Sequence, residues 1–332
     1  MEEPRAVSAE VAELGEGARW DAGRAELVWV DILAGVMRRS VEDGDGLRTV
    51  AEVAVGEPLG AVAPVDPAGA VAPVDSAGAV APVDSGGPVA PVDPAGGGGW
   101  LLAAGRGLRL LRPDGAVEPL LDTEPEGVRM NDAACDPQGR FWAGSMRSAS
   151  SGPDQRPGGG RLLRCDPDGT VRVALPAATV ANGLGWSPDG RTLYHADSGP
   201  GVLTAYPVDP GTGELGPGER LVEPEHGVPD GLTVDDEGAL WVALHGAGEV
   251  RRYAPDGRTL AVIRLPVSQP TSVAIGGASG RRLFVTTAWE TLDERRRAAQ
   301  PDAGRVFAVD DVGVTAPPVR RYRGQLPARL GG

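Results

Sequence analysis

Four stretches of the chain place an acid or an amide directly ahead of a short apolar run: Glu16 in LGEGARW, Asn131 and Asp132 in VRMNDAACD, Asn182 in VANGLGWSPDG, and Asp230 in GVPDGLTVDDEG. Carboxylate and amide oxygens are hard donors. Two carboxylates with one or two amides form an all-oxygen set suited to Ca²⁺, Mg²⁺ or Mn²⁺, and to Zn²⁺ if water completes its shell. Each residue taken singly has a blander reading. Asn-Gly and Asp-Gly are common turn dipeptides, and an isolated glutamate is usually solvated. The metal reading draws its weight from coincidence, because one position recurring in several repeats would bring these side chains to a common axis. Other chemistry is poorly represented. His195, His226 and His245 are the only histidines and none has metal-site spacing, no GxSxG is present, and Ser198 in HADSGPG reads as a turn residue.

The elements that must position these residues come from a repeat. A turn followed by a short apolar or aromatic strand starts at Asp21, Asp93, Asp136, Ser187, Asp235 and Gly277, giving spacings of 72, 43, 51, 48 and 42 residues. The turns read DPQGR, SPDGR and DDEGA, where Pro presets φ and Gly accepts a positive φ. The first spacing is long because residues 61 to 96 hold four near-identical nonapeptides, AVAPVDPAG, AVAPVDSAG, AVAPVDSGG and PVAPVDPAG. They lack the GGxGxD of calcium-binding β-rolls and read as a duplicated, Pro-containing insertion in a loop. Removing three units leaves an ordinary strand, turn and strand, and a period of about 45 residues, the length of a propeller blade. One four-stranded sheet cannot cover both of its faces, whereas six in a ring bury each against its neighbours. The expectation is an all-β, six-bladed β-propeller over residues 1–332, with the N-terminal segment pairing with the last blade. Inner strands of such a ring converge on a channel.

Composition narrows the partners. Of 332 residues, 46 are acidic and 32 basic, every basic one an Arg, for a net charge of -14. Such a surface repels phosphate backbones and anionic lipid, so neither nucleic acid nor a membrane is expected as partner, and a cation is. Cys135 and Cys165 form no CxxC, no apolar run is long enough to span a bilayer, and MEEPRAVSAEVAEL has no signal-peptide character, so a cytoplasmic protein is expected, a monomer or weak oligomer. The RRR at 295 to 297 follows acidic TLDE and reads as a solvated loop.

LGEGARWD, RMNDAACDPQGRFWAGSM, ANGLGWSPDGRTLYHADS, VPDGLTVDDEGALWVAL and QPTSVAIGG followed by RLFVTTA resemble, in that order, the senescence marker protein/gluconolactonase (regucalcin-like) family, from about Leu14 to the VRRY near the end. The resemblance implies a six-bladed propeller with one divalent cation held by Glu16, Asn182 and Asp230, and substrate contacts from Arg129 and Asn131. It implies a lactonase for sugar-acid lactones, with Asp230 as general base or the cation activating the water. The alternatives are hydrolysis of another ester or a phosphotriester, and calcium binding without turnover. Two departures stand out. Some members carry a substrate-binding Glu soon after a GTM-like motif, but GSMRSASSGPDQRPGGG has no acid before Asp154. His245 in ALHGAG, where relatives often carry a bulkier or neutral residue, lines the pocket or is a satisfied turn histidine.

Overall fold

The computed structural model describes residues 3–66, 98–148 and 155–327. A two-residue strand, β1 (Arg5–Ala6), precedes the first full sheet of β2 (Gly15–Asp21), β3 (Glu26–Asp31), β4 (Val36–Asp43) and β5 (Gly46–Ala54). The second sheet is β6 (Leu59–Pro64), β7 (Trp100–Ala104), β8 (Gly107–Leu111) and β9 (Val117–Asp122), and the third β10 (Val128–Cys135), β11 (Phe141–Arg147), β12 (Gly160–Cys165) and β13 (Val171–Ala178). The fourth is β14 (Ala181–Trp186), β15 (Thr192–Asp197), β16 (Val202–Pro207) and β17 (Glu219–Val222), and the fifth β18 (Val228–Val234), β19 (Leu240–His245), β20 (Glu249–Tyr253) and β21 (Thr259–Arg264). The last holds β22 (Pro270–Gly276), β23 (Arg282–Thr287) and β24 (Phe307–Val309), with β1 as its outer strand. Every pair is antiparallel, and the first long strand of each sheet touches those of both neighbours around a closed ring. The fold is a six-bladed β-propeller. Arg5 opposite Ala308 and Ala6 opposite Phe307 close it.

The repeated turn lies between the first two strands of a blade, and its Asp is structural. Asp136 Oδ1 accepts from the backbone N–H of Gln138 and Arg140, both at 2.9 Å, while Oδ2 accepts from the Trp142 indole at 3.1 Å. Asp235 repeats this with Glu237, Ala239 and Trp241. Gly139 and Gly238 in these turns have φ of 87° and 83°, which a side chain rarely tolerates. Trp29, Trp100, Trp142 and Trp241, all on second strands, are fully buried between blades. Burying each large apolar side chain is worth about 1.5–3 kcal/mol, which replaces the single core that a ring lacks.

Ala61–Pro64, from the first nonapeptide, complete β6, and Val65 bridges to Tyr322. The expected insertion at 61–96 therefore begins inside a strand, and residues 67–97 lie outside the described residues. No helix among the described residues is long and apolar enough to cross a membrane. One five-residue helix, α1 (Glu294–Ala298), holds the RRR run, with no buried residue and Asp293 as its N-cap.

Candidate functional site

All six inner strands break register at the same level: between Glu16 and Arg19, Leu59 and Ala61, Met130 and Ala133, Ala181 and Leu184, Pro229 and Leu232, and Pro270 and Ser272. A bulge turns side chains out of strict alternation. Glu16, Asn131, Asp132, Asn182 and Asp230 all sit at these bulges, and all are buried, at 4%, 4%, 8%, 5% and 6% exposure. Glycines let the strands approach closely. A Cβ on Gly60 would lie 1.8 Å from the Asn131 carbonyl oxygen, and one on Gly183 2.3 Å from that of Asp230.

The bulges bring Glu16, Asn182 and Asp230 together. Asp230 stands against the side chains of both others. Burial, then the charges of Asp230 and Asp132, pushes the Glu16 carboxyl well above its ordinary value. Burial and then Asp132 do the same to Asp230. Two buried carboxylates this close resist being charged together unless a cation lies between them. Asn182 is oriented by a chain: its Nδ2 donates to Ser198 Oγ at 3.1 Å, and that hydroxyl donates to the Pro229 carbonyl at 2.8 Å. The amide oxygen is left free of that chain. Asn182 Oδ1 and Asp230 Oδ1 are both buried without a hydrogen-bond partner. Among the described residues no three His, Cys, Asp or Glu side chains converge on a point, so an ion here would take its third oxygen from Asn182.

Asn131 is spent differently. Its Oδ1 accepts from Arg129 Nη1 at 2.8 Å and its Nδ2 donates to the Ala181 carbonyl at 3.1 Å. Burial lowers the Arg129 guanidinium from its ordinary value, against the opposing charges of Glu290, Glu16 and Asp230. Asp132 pairs with Arg19 at 3.5 Å, and its Oδ1 accepts from the Ala133 N–H at 2.8 Å. Its carboxyl is raised by burial, with Arg19 opposing. His245 ends β19 opposite Val228, two residues ahead of Asp230, so it stands at the rim with its imidazole lowered by burial. Asp154 lies outside the described residues.

Residues 14–289 match the family model described as the SMP-30/Gluconolactonase/LRE-like region. The chain belongs to this family. Within it, the chain is 33% identical over 302 residues to a 6-deoxy-6-sulfogluconolactonase from Pseudomonas putida, covering 89% of this chain and 90% of that one. It is 29% identical to regucalcin from Xenopus laevis, over 93% and 94% of the two chains. A solved structure of a calcium-binding protein, regucalcin, from Agrobacterium tumefaciens superposes with a TM-score of 0.78 at 26% identity, over 96% and 97%. Two residues of this family member's site escape sequence reasoning. Ser198 reads as a turn residue yet fixes Asn182, and Glu290, just past β23, carries no local motif.

Proposed function

We propose that the protein is a divalent-cation-dependent lactonase opening a sugar-acid lactone, with Glu16, Asn182 and Asp230 holding the cation and Arg129 and Asn131 binding substrate. The observation that carries this reading is the pair of buried, unpartnered oxygens, Asn182 Oδ1 and Asp230 Oδ1, beside a second buried carboxylate. Unpaired buried acceptors are costly, and a hard cation satisfies them. The lactonase named above, 33% identical over most of this chain, supports the bond broken.

A bound cation supplies a Lewis acid that polarises the carbonyl and offsets the developing oxyanion. Arg129 and the remaining amide hydrogen of Asn131 hold substrate oxygens and so fix the ring. Asp230 accepts a proton from the attacking water as the new C–O bond forms. The ring C–O bond then breaks, and the alkoxide takes that proton to leave a hydroxy acid. Asn182 and Ser198 move no proton; Ser198 holds the Asn182 amide, whose oxygen completes the set offered to the cation.

The test is proton release from a panel of aldonolactones by metal-stripped protein reloaded separately with Ca²⁺, Mg²⁺, Mn²⁺ or Zn²⁺, beside the Asp230→Ala variant. Metal-dependent acid production, at least 10³-fold lower in the variant, is expected. Tight, selective Ca²⁺ binding with no lactone or other ester opened would move the protein to the cation-binding reading.

A further inference from the structure

We propose, resting on the lactonase reading above, that Glu290 and Arg129 form a clamp across the channel mouth that recognises a vicinal diol of the substrate, with Glu290 the residue that selects polyhydroxylated lactones. Glu290 follows β23 in the last blade, while Arg129 begins β10 in the third. The Glu290 backbone is fixed at the site end of the ring. Its N–H and that of Trp289 donate to the Glu13 carbonyl at 3.2 and 3.0 Å, three residues before Glu16. Gln269 donates to Thr291, and the Arg297 guanidinium lies 3.6 Å over the Trp289 ring, so the segment is held on both sides of Glu290.

Of the acids acting on Arg129, Glu290 acts most strongly, ahead of Glu16 and Asp230. No ion pair joins the two among the described residues, and their places in blades six and three set them on opposite sides of the mouth, near enough for each charge to act on the other. Their hydrogen-bonding capacity is unspent on the facing sides. Arg129 Nη1 is used by Met130 O and Asn131 Oδ1, at 2.9 and 2.8 Å, leaving Nε and Nη2 without a partner among the described residues. Glu290 is an exposed residue with no side-chain hydrogen-bond partner among the described residues, although its carboxyl is partly desolvated and raised by that burial. A guanidinium only donates and a carboxylate only accepts. Adjacent hydroxyls fit this pair, one O–H donating to Glu290 while its neighbour accepts from Arg129.

The experiment compares D-glucono-1,5-lactone with δ-valerolactone, the same ring without hydroxyls, on wild type, Glu290→Gln and Glu290→Ala. Cation affinity is measured by calorimetry on each. Loss of a charge-assisted hydrogen bond predicts a KM for the hydroxylated ring raised roughly tenfold or more in Glu290→Ala, less in Glu290→Gln. Its kcat, both constants for valerolactone and cation affinity stay within about twofold. Equal losses on both lactones, no loss on either, or a tenfold fall in cation affinity overturns the assignment while leaving the lactonase reading intact. A wild type that opens neither lactone overturns both.

Discussion

The two ends of the central channel are built by the same six strands and have opposite chemistry. At one end the register breaks bring Glu16, Asn182 and Asp230 together and leave two oxygens unpartnered among the described residues. At the other end the same strands present Ala18, Leu184, Leu232, Val234, Val273 and Ile275 to a cavity of about 130 Å³ that the segment Ala316–Arg320 crosses. That C-terminal strap is tied down along its length. Asp236 N–H donates to the Thr315 carbonyl at 2.9 Å, Tyr322 N–H to Pro64 O at 2.9 Å, and the Tyr322 hydroxyl to Asp166 O at 2.9 Å. Tyr322 is fully buried against blades two and three. One end thus gathers acids and amides around two oxygens that have no partner among the described residues, and the other is largely apolar and crossed by the chain's own C-terminal segment. A ring needs only one end closed to hold its blades together, which frees the other for chemistry.

The sharpest way to break this contrast is at the strap. Tyr322→Ala removes a fully buried ring and its hydrogen bonds and should cost about 3–5 kcal/mol of stability in denaturant unfolding. Cation affinity of the folded fraction should stay unchanged; a parallel loss of affinity would mean that the two ends are not independent. At the site end, Ser198→Ala frees the Asn182 amide to rotate. It should weaken cation binding by about 10–100-fold with little change in the unfolding midpoint of the metal-free protein, read by titration calorimetry and thermal melts. Unchanged affinity would remove Ser198 from the site.

The smallest effect is a pH signature. In metal-free protein the Glu16 and Asp230 carboxyls are raised by burial and by neighbouring acids, so the folded chain keeps protons that the unfolded chain releases. Their contribution is fully present below the ordinary carboxylate range and is lost as pH rises toward the raised values. The gap in melting temperature between cation-loaded and stripped protein should therefore widen by a few degrees from pH 5 to pH 7. A constant gap would show that the stripped protein releases no extra proton from these two acids over this range.

The blade count was legible because each blade repeats the same covalent solution, a D/S-x-x-G turn ahead of an aromatic second strand, at Asp136 with Trp142 and Asp235 with Trp241. Glu16, Asn182 and Asp230 were legible as candidates because they hold the same register in different blades. Which amide faces the acids was not, since Asn131 and Asn182 look alike in sequence and differ only in who takes their hydrogen bonds. The strap was missed because its Pro-rich run from Ala316 has no strand period, and its role lies in what it crosses.

The repeat, the polar positions ahead of the apolar runs and the acidic charge are written in the chain itself, because those depend on local turn chemistry and on composition. Which polar groups meet, that Ser198 orients Asn182 and that the charge of Glu290 acts on Arg129 follow from the assembled ring. Contacts between blades join residues far apart in the chain, and ring closure, which no local pattern encodes, sets their distances.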